Sequence, residues 1–163
     1  MLTTGPSPNP ENPFERLRNK AFTTTPEQLG LSLNPFETAV YGIVMDWGVE
    51  GATATTVSFG TGDASLYLSS GGGVIGGGKH PNVSHAAKKF VEMAHSYLDK
   101  TSPNTAMGLP ILDEVRFYLL TNKGVFEGME IMENFENNTS IWLPLFVEGN
   151  KVLTELQLTT GGL

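Results

Sequence analysis

The residues most suggestive of chemistry lie together in Gly71-Gly72-Gly73-Val74-Ile75-Gly76-Gly77-Gly78-Lys79-His80-Pro81, which holds six of the chain's 19 glycines. Each glycine raises the entropic cost of ordering a loop, so a run this dense calls for a compensating gain. Consecutive bare N–H groups can form a concave nest for an anion, and a following helix start adds partial positive charge. Read this way, Gly73, Gly76, Gly77, Gly78, Lys79 and His80 are the candidate ligand-binding residues, with a phosphate-bearing small molecule as the ligand. The plainer reading is a strand-to-helix connection or a close backbone crossing.

The segment Gly73-Val74-Ile75-Gly76-Gly77-Gly78-Lys79 matches the phosphate-loop pattern G-x-x-x-x-G-K-[ST] as far as the lysine. His80 then stands where the magnesium-binding hydroxyl belongs, which argues against a nucleotide triphosphatase. Other candidates are weaker. Asp46, ending an apolar run from Tyr41, could be a general base or a metal ligand, and with His80 it would make a hydrolytic pair; more often an acid there caps a turn. His85 and His95 read as solvated helix positions, since no H-E-x-x-H or i, i+4 histidine pair occurs. Ser69 and Ser70 read as a strand end in the absence of a G-x-S-x-G elbow. Glu127, Glu130, Glu133 and Glu136 read as solubility charge rather than a carboxylate pair. Trp47 and Trp142 flank presumed core elements, where burial is ordinary and exposure would mark an interface. No catalytic residue, metal site or cofactor is expected.

Composition narrows the partners. The chain has 163 residues, a net charge of −7 and no cysteine. The acidic balance disfavours nucleic acid and anionic membranes, which need clustered Lys and Arg. The missing cysteines remove disulfides, thiolate catalysis and Cys-rich zinc sites. No apolar run approaches the ~18 residues of a membrane span, and Met1–Pro6 has neither the basic flank nor the apolar core of a signal peptide. A cytoplasmic location is the default.

The elements that must position these residues follow from pattern. Residues 1–12 are rich in Pro, Asn and Ser and are expected to be a flexible N-terminal segment, followed by a single α+β domain over 13–163. Phe14, Leu17 and Ala21 predict a short helix. Thr25-Pro26 predicts a cap and one helical turn. Strands are predicted at about 38–47, 53–59 and 64–70 as a meander, the first apolar enough to be covered on both faces. Val83, Ala87, Phe90, Ala94 and Leu98 predict a long helix over about 82–99. Residues 100–112 read as a long loop, 115–120 and 125–131 as a hairpin, and 132–140 as an acidic solvated loop. The final segment reads as a helix from Pro144, with a hairpin turning at Glu148-Gly149-Asn150 as the alternative.

The sum is an α+β fold with an antiparallel sheet of about five strands and helices packed on it. As architecture alone, this order is similar to the small modules of the roadblock, longin and profilin type, a likeness that carries no function. Three functional readings follow. The first is a non-catalytic interaction or regulatory module that self-associates or binds a protein through edge strands. The second is an anion-binding domain using residues 71–80, and the third a small hydrolase around Asp46 and His80.

Overall fold

The structure, a computed structural model, describes residues 12–160. Its centre is a seven-stranded antiparallel sheet: β1 (Val40–Val49), β2 (Ala52–Phe59), β3 (Ala64–Leu68), β4 (Gly73–Val74), β5 (Ser102–Pro103), β6 (Glu114–Thr121) and β7 (Gly124–Ile131), in the spatial order β4-β3-β2-β1-β6-β7-β5. The helices are α1 (Phe14–Thr23), α2 (Pro81–His95), α3 (Met132–Glu136) and α4 (Leu143–Leu158). The α+β class and the meander, long helix and hairpin order are as the sequence implies.

The strand count is a correction, seven rather than about five. The two additions, β4 inside the glycine loop and β5 inside the 100–112 loop, are two residues long. That is too short for a period-two pattern to exist, and they form only because a neighbouring edge offers free backbone groups. A second correction concerns 132–140. Its first five residues are α3, which buries Phe135 against Phe146 with the rings stacked at 4.2 Å. One buried aromatic in an acidic, Asn-rich stretch leaves no periodicity to read. The terminal segment is a helix, with Pro144 in its first turn, where a missing N–H costs nothing. The expected flexible segment 1–12 lies outside the described residues except for Asn12, whose amide donates to the Ser69 carbonyl.

Two cores flank the sheet. On one face Ile43, Met45, Leu66, Phe117 and Leu119 meet α2 and α4 through Phe90, Leu145, Val152 and Leu156. On the other face Tyr41, Val44, Val57, Tyr118 and Leu120 meet α1 through Phe14 and Ala21. The near-continuous apolarity of β1 is explained by this double coverage. Close approach shapes this core at Gly128 and Gly149. A Cβ on Gly128 would stand 2.0 Å from Trp142 Cη2, and one on Gly149 would stand 2.5 Å from Met45 Sδ. Trp142, buried, stacks on Phe117 at 5.3 Å and on Tyr97 at 5.1 Å, so Gly128 is the gap that admits the indole.

Connections behave as their residues dictate. Thr25 Oγ1 accepts the Gln28 N–H while Gln28 Oε1 accepts the Thr25 N–H, a reciprocal cap on the single turn Glu27–Leu29. β6 and β7 join through Asn122 and Lys123, and the Asn122 amide ties that hairpin to the chain before β1 by donating to the Asn34 and Glu37 carbonyls.

Candidate functional site

The charged residues that the fold buries gather on the α1 face. Arg18 falls on the same stripe of α1 as Phe14, Leu17 and Ala21, a position that helical spacing assigns to the core. It is 6% exposed. Its partner is Asp46, in the middle of β1 and 0% exposed. Arg18 Nε and Nη2 both donate to Asp46 Oδ2, at 3.0 and 2.6 Å. Thr55 on the neighbouring strand donates its hydroxyl to Asp46 Oδ1. Nη2 also donates to the Met107 carbonyl at 2.9 Å, and the guanidinium lies 4.9 Å from the centre of the Phe22 ring.

A second polar group adjoins the first. Arg116 Nε donates to Glu114 Oε1 at 2.6 Å and Nη1 to Glu127 Oε2 at 3.3 Å. Glu127 Oε1 accepts from the Asn104 amide. The Tyr118 hydroxyl donates to the Gly108 carbonyl. Together these bonds hold the loop between β5 and β6 down on the sheet. Burial pushes the Asp46 carboxyl above the usual carboxylate range, against the opposing pull of Arg18 and then Thr55. Burial likewise pushes the Tyr118 phenol up to about 12, the Arg116 hydrogen bond opposing and Glu127 adding to the shift. Hydrogen bonding to Glu114 raises the Arg116 guanidinium further into its charged form.

This arrangement is a clasp rather than a reaction centre. Asp46 is sealed from solvent and its oxygens are occupied, so no substrate proton can reach it. Asp46 and His80 are not brought together. Asp46 faces α1, whereas His80 caps the start of α2 on the other side of the sheet. Sequence reading singled out Asp46 but missed Arg18, Thr55, Arg116 and Tyr118. The available signals were a charge on the apolar stripe of α1 and the i, i+2, i+4 run Glu114, Arg116, Tyr118 on one face of a strand.

The glycine loop is ordered by bonds to the protein itself. The Gly76 N–H donates to Ser65 Oγ and the Gly78 N–H to Asp63 Oδ1, both at 3.0 Å. The His80 N–H closes on the Gly77 carbonyl, and Gly73-Val74 pairs with Tyr67-Leu66. A Cβ on Gly77 would lie 2.5 Å from Leu156 Cδ2, and one on Gly78 would lie 2.7 Å from Asp63 Cα. Close packing thus accounts for Gly77 and Gly78, as it does for Gly73, whose Cβ would meet the Leu66 carbonyl, and a carboxylate already stands where the Gly78 amide points. Lys79 is exposed, and His80 borders a hollow at the start of α2 that also contains the Glu155 carboxylate. His85 and His95 are both exposed; His95 Nδ1 accepts the Val40 N–H at 3.4 Å.

Exposed apolar side chains concentrate at one end of the sheet. On β7, Met129 and Ile131 point to the α1 face beyond the reach of α1, as their partners Arg116 and Glu114 do. The Asp113 N–H donates to the Gly48 carbonyl and the Met132 N–H to the Asp113 carbonyl, which brings exposed Ile111 and Leu112 beside that end. β5 covers the outer edge of β7 only at Phe126 and Glu127. Strand alternation directs the Met129 N–H and C=O outward along the remaining edge.

Among the described residues no group of three or more His, Asp or Glu is placed to hold a metal ion, and no helix is long and apolar enough to cross a membrane. No protein-family model, curated protein or solved structure matches this chain.

Proposed function

We propose that the chain is a non-catalytic interaction module that pairs with a second copy of itself through the open half of β7 and the adjoining residues Ile111 and Leu112. The observation that carries this reading is the coincidence of a strand edge left open at Met129 with four exposed apolar side chains, Ile111, Leu112, Met129 and Ile131. Edge strands of folded proteins are ordinarily blunted by charge, proline or short length. Here Pro103 of β5 protects only the first half of the edge. A second copy is the natural occupant because Met129 of one β7 edge can exchange its N–H and C=O bonds with Met129 of the other, a self-complementary contact as a two-fold interface requires. The apolar side chains of the two copies then lie on one face of a continuous sheet, where cross-strand pairs stabilise each other. Arg18, held by Asp46, ties the loop that carries Ile111 and Leu112 to α1 through the Met107 carbonyl.

The test is mass in solution over a concentration series, by sedimentation or light scattering. The native chain is expected to be a dimer, and the pair Met129→Lys with Ile131→Lys is expected to be a folded monomer. A native monomer at every concentration, or a dimer indifferent to both substitutions, refutes the proposal.

A further inference from the structure

We propose that the groove between α1 and the β3 side of the sheet binds a small zwitterion with an apolar body, of the size and chemistry of a free aromatic or branched aliphatic amino acid. The groove has a volume of about 480 Å3, within the ~300–1,000 Å3 typical of small-molecule sites. Its floor is Phe59, Ser65 and Tyr67, on the face that α1 covers elsewhere. Leu17 and Ala21 of α1 form one wall, and Ile75 of the glycine loop the other.

Two independent observations point to an occupant. Ile75 lines this groove yet is 66% exposed. It is held there by a loop pinned on both sides, through the β4 pairing of Gly73-Val74 and the Gly76 N–H bond to Ser65. A large aliphatic side chain fixed over an open groove gains from a ligand that takes it out of water. The second observation is charge. Lys20 and Asp63 both line the groove, and among the described residues neither belongs to an ion pair. Asp63 uses Oδ1 for the Gly78 N–H, and among the described residues no bond engages Oδ2. A ligand with a carboxylate for Lys20 and an ammonium for Asp63 satisfies both, whereas a pure anion meets Asp63 and a pure cation meets Lys20 as a like charge. The Tyr67 phenol, uncharged at neutral pH in any case, is pushed further up by burial, against the Ser65 hydroxyl and with the Asp63 carboxylate, and lies beneath the apolar body.

Calorimetric titration of the full chain tests this. The probes are phenylalanine and leucine, the single-charge analogues phenylacetate and phenethylamine, and inorganic phosphate. Phenylalanine is expected to bind saturably, at least tenfold more tightly than either analogue. Asp63→Asn retains an acceptor for the Gly78 N–H, and with it the loop; it is expected to weaken phenylalanine tenfold or more and to strengthen phenylacetate, whose like charge it removes. Lys20→Met is expected to do the converse, weakening phenylalanine and strengthening phenethylamine. Ile75→Ser is expected to weaken all three without changing their order. No saturable heat with phenylalanine or leucine up to ~10 mM overturns the proposal. Equal binding of the analogues, or native affinity in both charge variants, overturns it as well. Phosphate binding that Lys79→Ala abolishes, with no amino-acid binding, overturns it in favour of the glycine loop as an anion site.

Discussion

Removing Asp46 alone is expected to destabilise the fold more than removing Arg18 and Asp46 together, and the two single substitutions are expected to be strongly non-additive. Each charge is almost fully desolvated, 6% and 0% exposed, so either one left alone is a buried charge without compensation. Substitution of Asp46 by Leu strands the guanidinium, which cannot shed its proton, and is expected to cost about 3–4 kcal/mol. For a domain of this size that lowers Tm by roughly 6–16 °C. Arg18→Met strands the carboxylate, which can take up a proton, so the expected cost is smaller, about 2–3 kcal/mol. The double variant Arg18→Met/Asp46→Leu removes both desolvation penalties. What remains is the loss of donors to the Met107 carbonyl and of an acceptor for the Thr55 hydroxyl, about 1 kcal/mol each. The double variant is therefore expected near 2–3 kcal/mol, with a coupling energy of about 3 kcal/mol between sites. Urea unfolding followed by the fluorescence of Trp47 and Trp142 measures all four corners of the cycle. Additive single substitutions, with coupling below about 0.5 kcal/mol, would refute the argument that the two charges stabilise the fold only as a pair. The cycle also has a pH signature. In Arg18→Met, burial acts on Asp46 against only the Thr55 hydroxyl and the Arg116 charge and lifts its native pKa further above the unfolded value of about 3.9. A group raised in the native state favours folding below its unfolded pKa and loses that contribution as pH rises through the native one. The deficit of Arg18→Met is therefore expected to shrink as pH falls toward about 4; a deficit constant with pH, or largest in acid, contradicts this.

Two further expectations concern single side chains. The Tyr118 phenol is raised to about 12 in the native state from an unfolded value of about 10, so its contribution is complete below that lower value and lost as pH rises through the upper one. Tyr118→Phe is expected to flatten the stability profile over that alkaline window and to cost about 1 kcal/mol at neutral pH through the lost bond to the Gly108 carbonyl, read by unfolding at a series of pH values. Gly128→Ala places a methyl where Trp142 Cη2 lies at 2.0 Å; a loss of about 1–3 kcal/mol and a changed near-ultraviolet dichroism of Trp142 are expected, and native values for both would show that the indole has room to move.

The sequence by itself determined the elements whose side chains repeat along them. Val83, Ala87, Phe90 and Ala94 return every three or four residues, so α2 is legible; Thr55, Val57 and Phe59 alternate, so β2 is legible; the apolar run of β1 forecast coverage on both faces, and cores on both faces are present. Pro144 tipped the last segment toward helix because a first-turn proline loses no hydrogen bond. Tertiary structure decided what depends on neighbours distant in the chain. β4 and β5 exist because β3 and β7 offer edges, not because Gly73-Val74 or Ser102-Pro103 prefer to be extended. Arg18 and Asp46 are 28 residues apart, and only the packing of α1 across β1 makes one the counter-charge of the other. The glycine loop shows the boundary most sharply. Its composition marks backbone that must run close to something, which the residues alone leave open between an anion and the protein. The fold brings Asp63 and Ser65 to the Gly78 and Gly76 amides and sets the Leu156 side chain against Gly77, because the sheet edge and α4 converge there and a backbone without Cβ atoms is what fits between them.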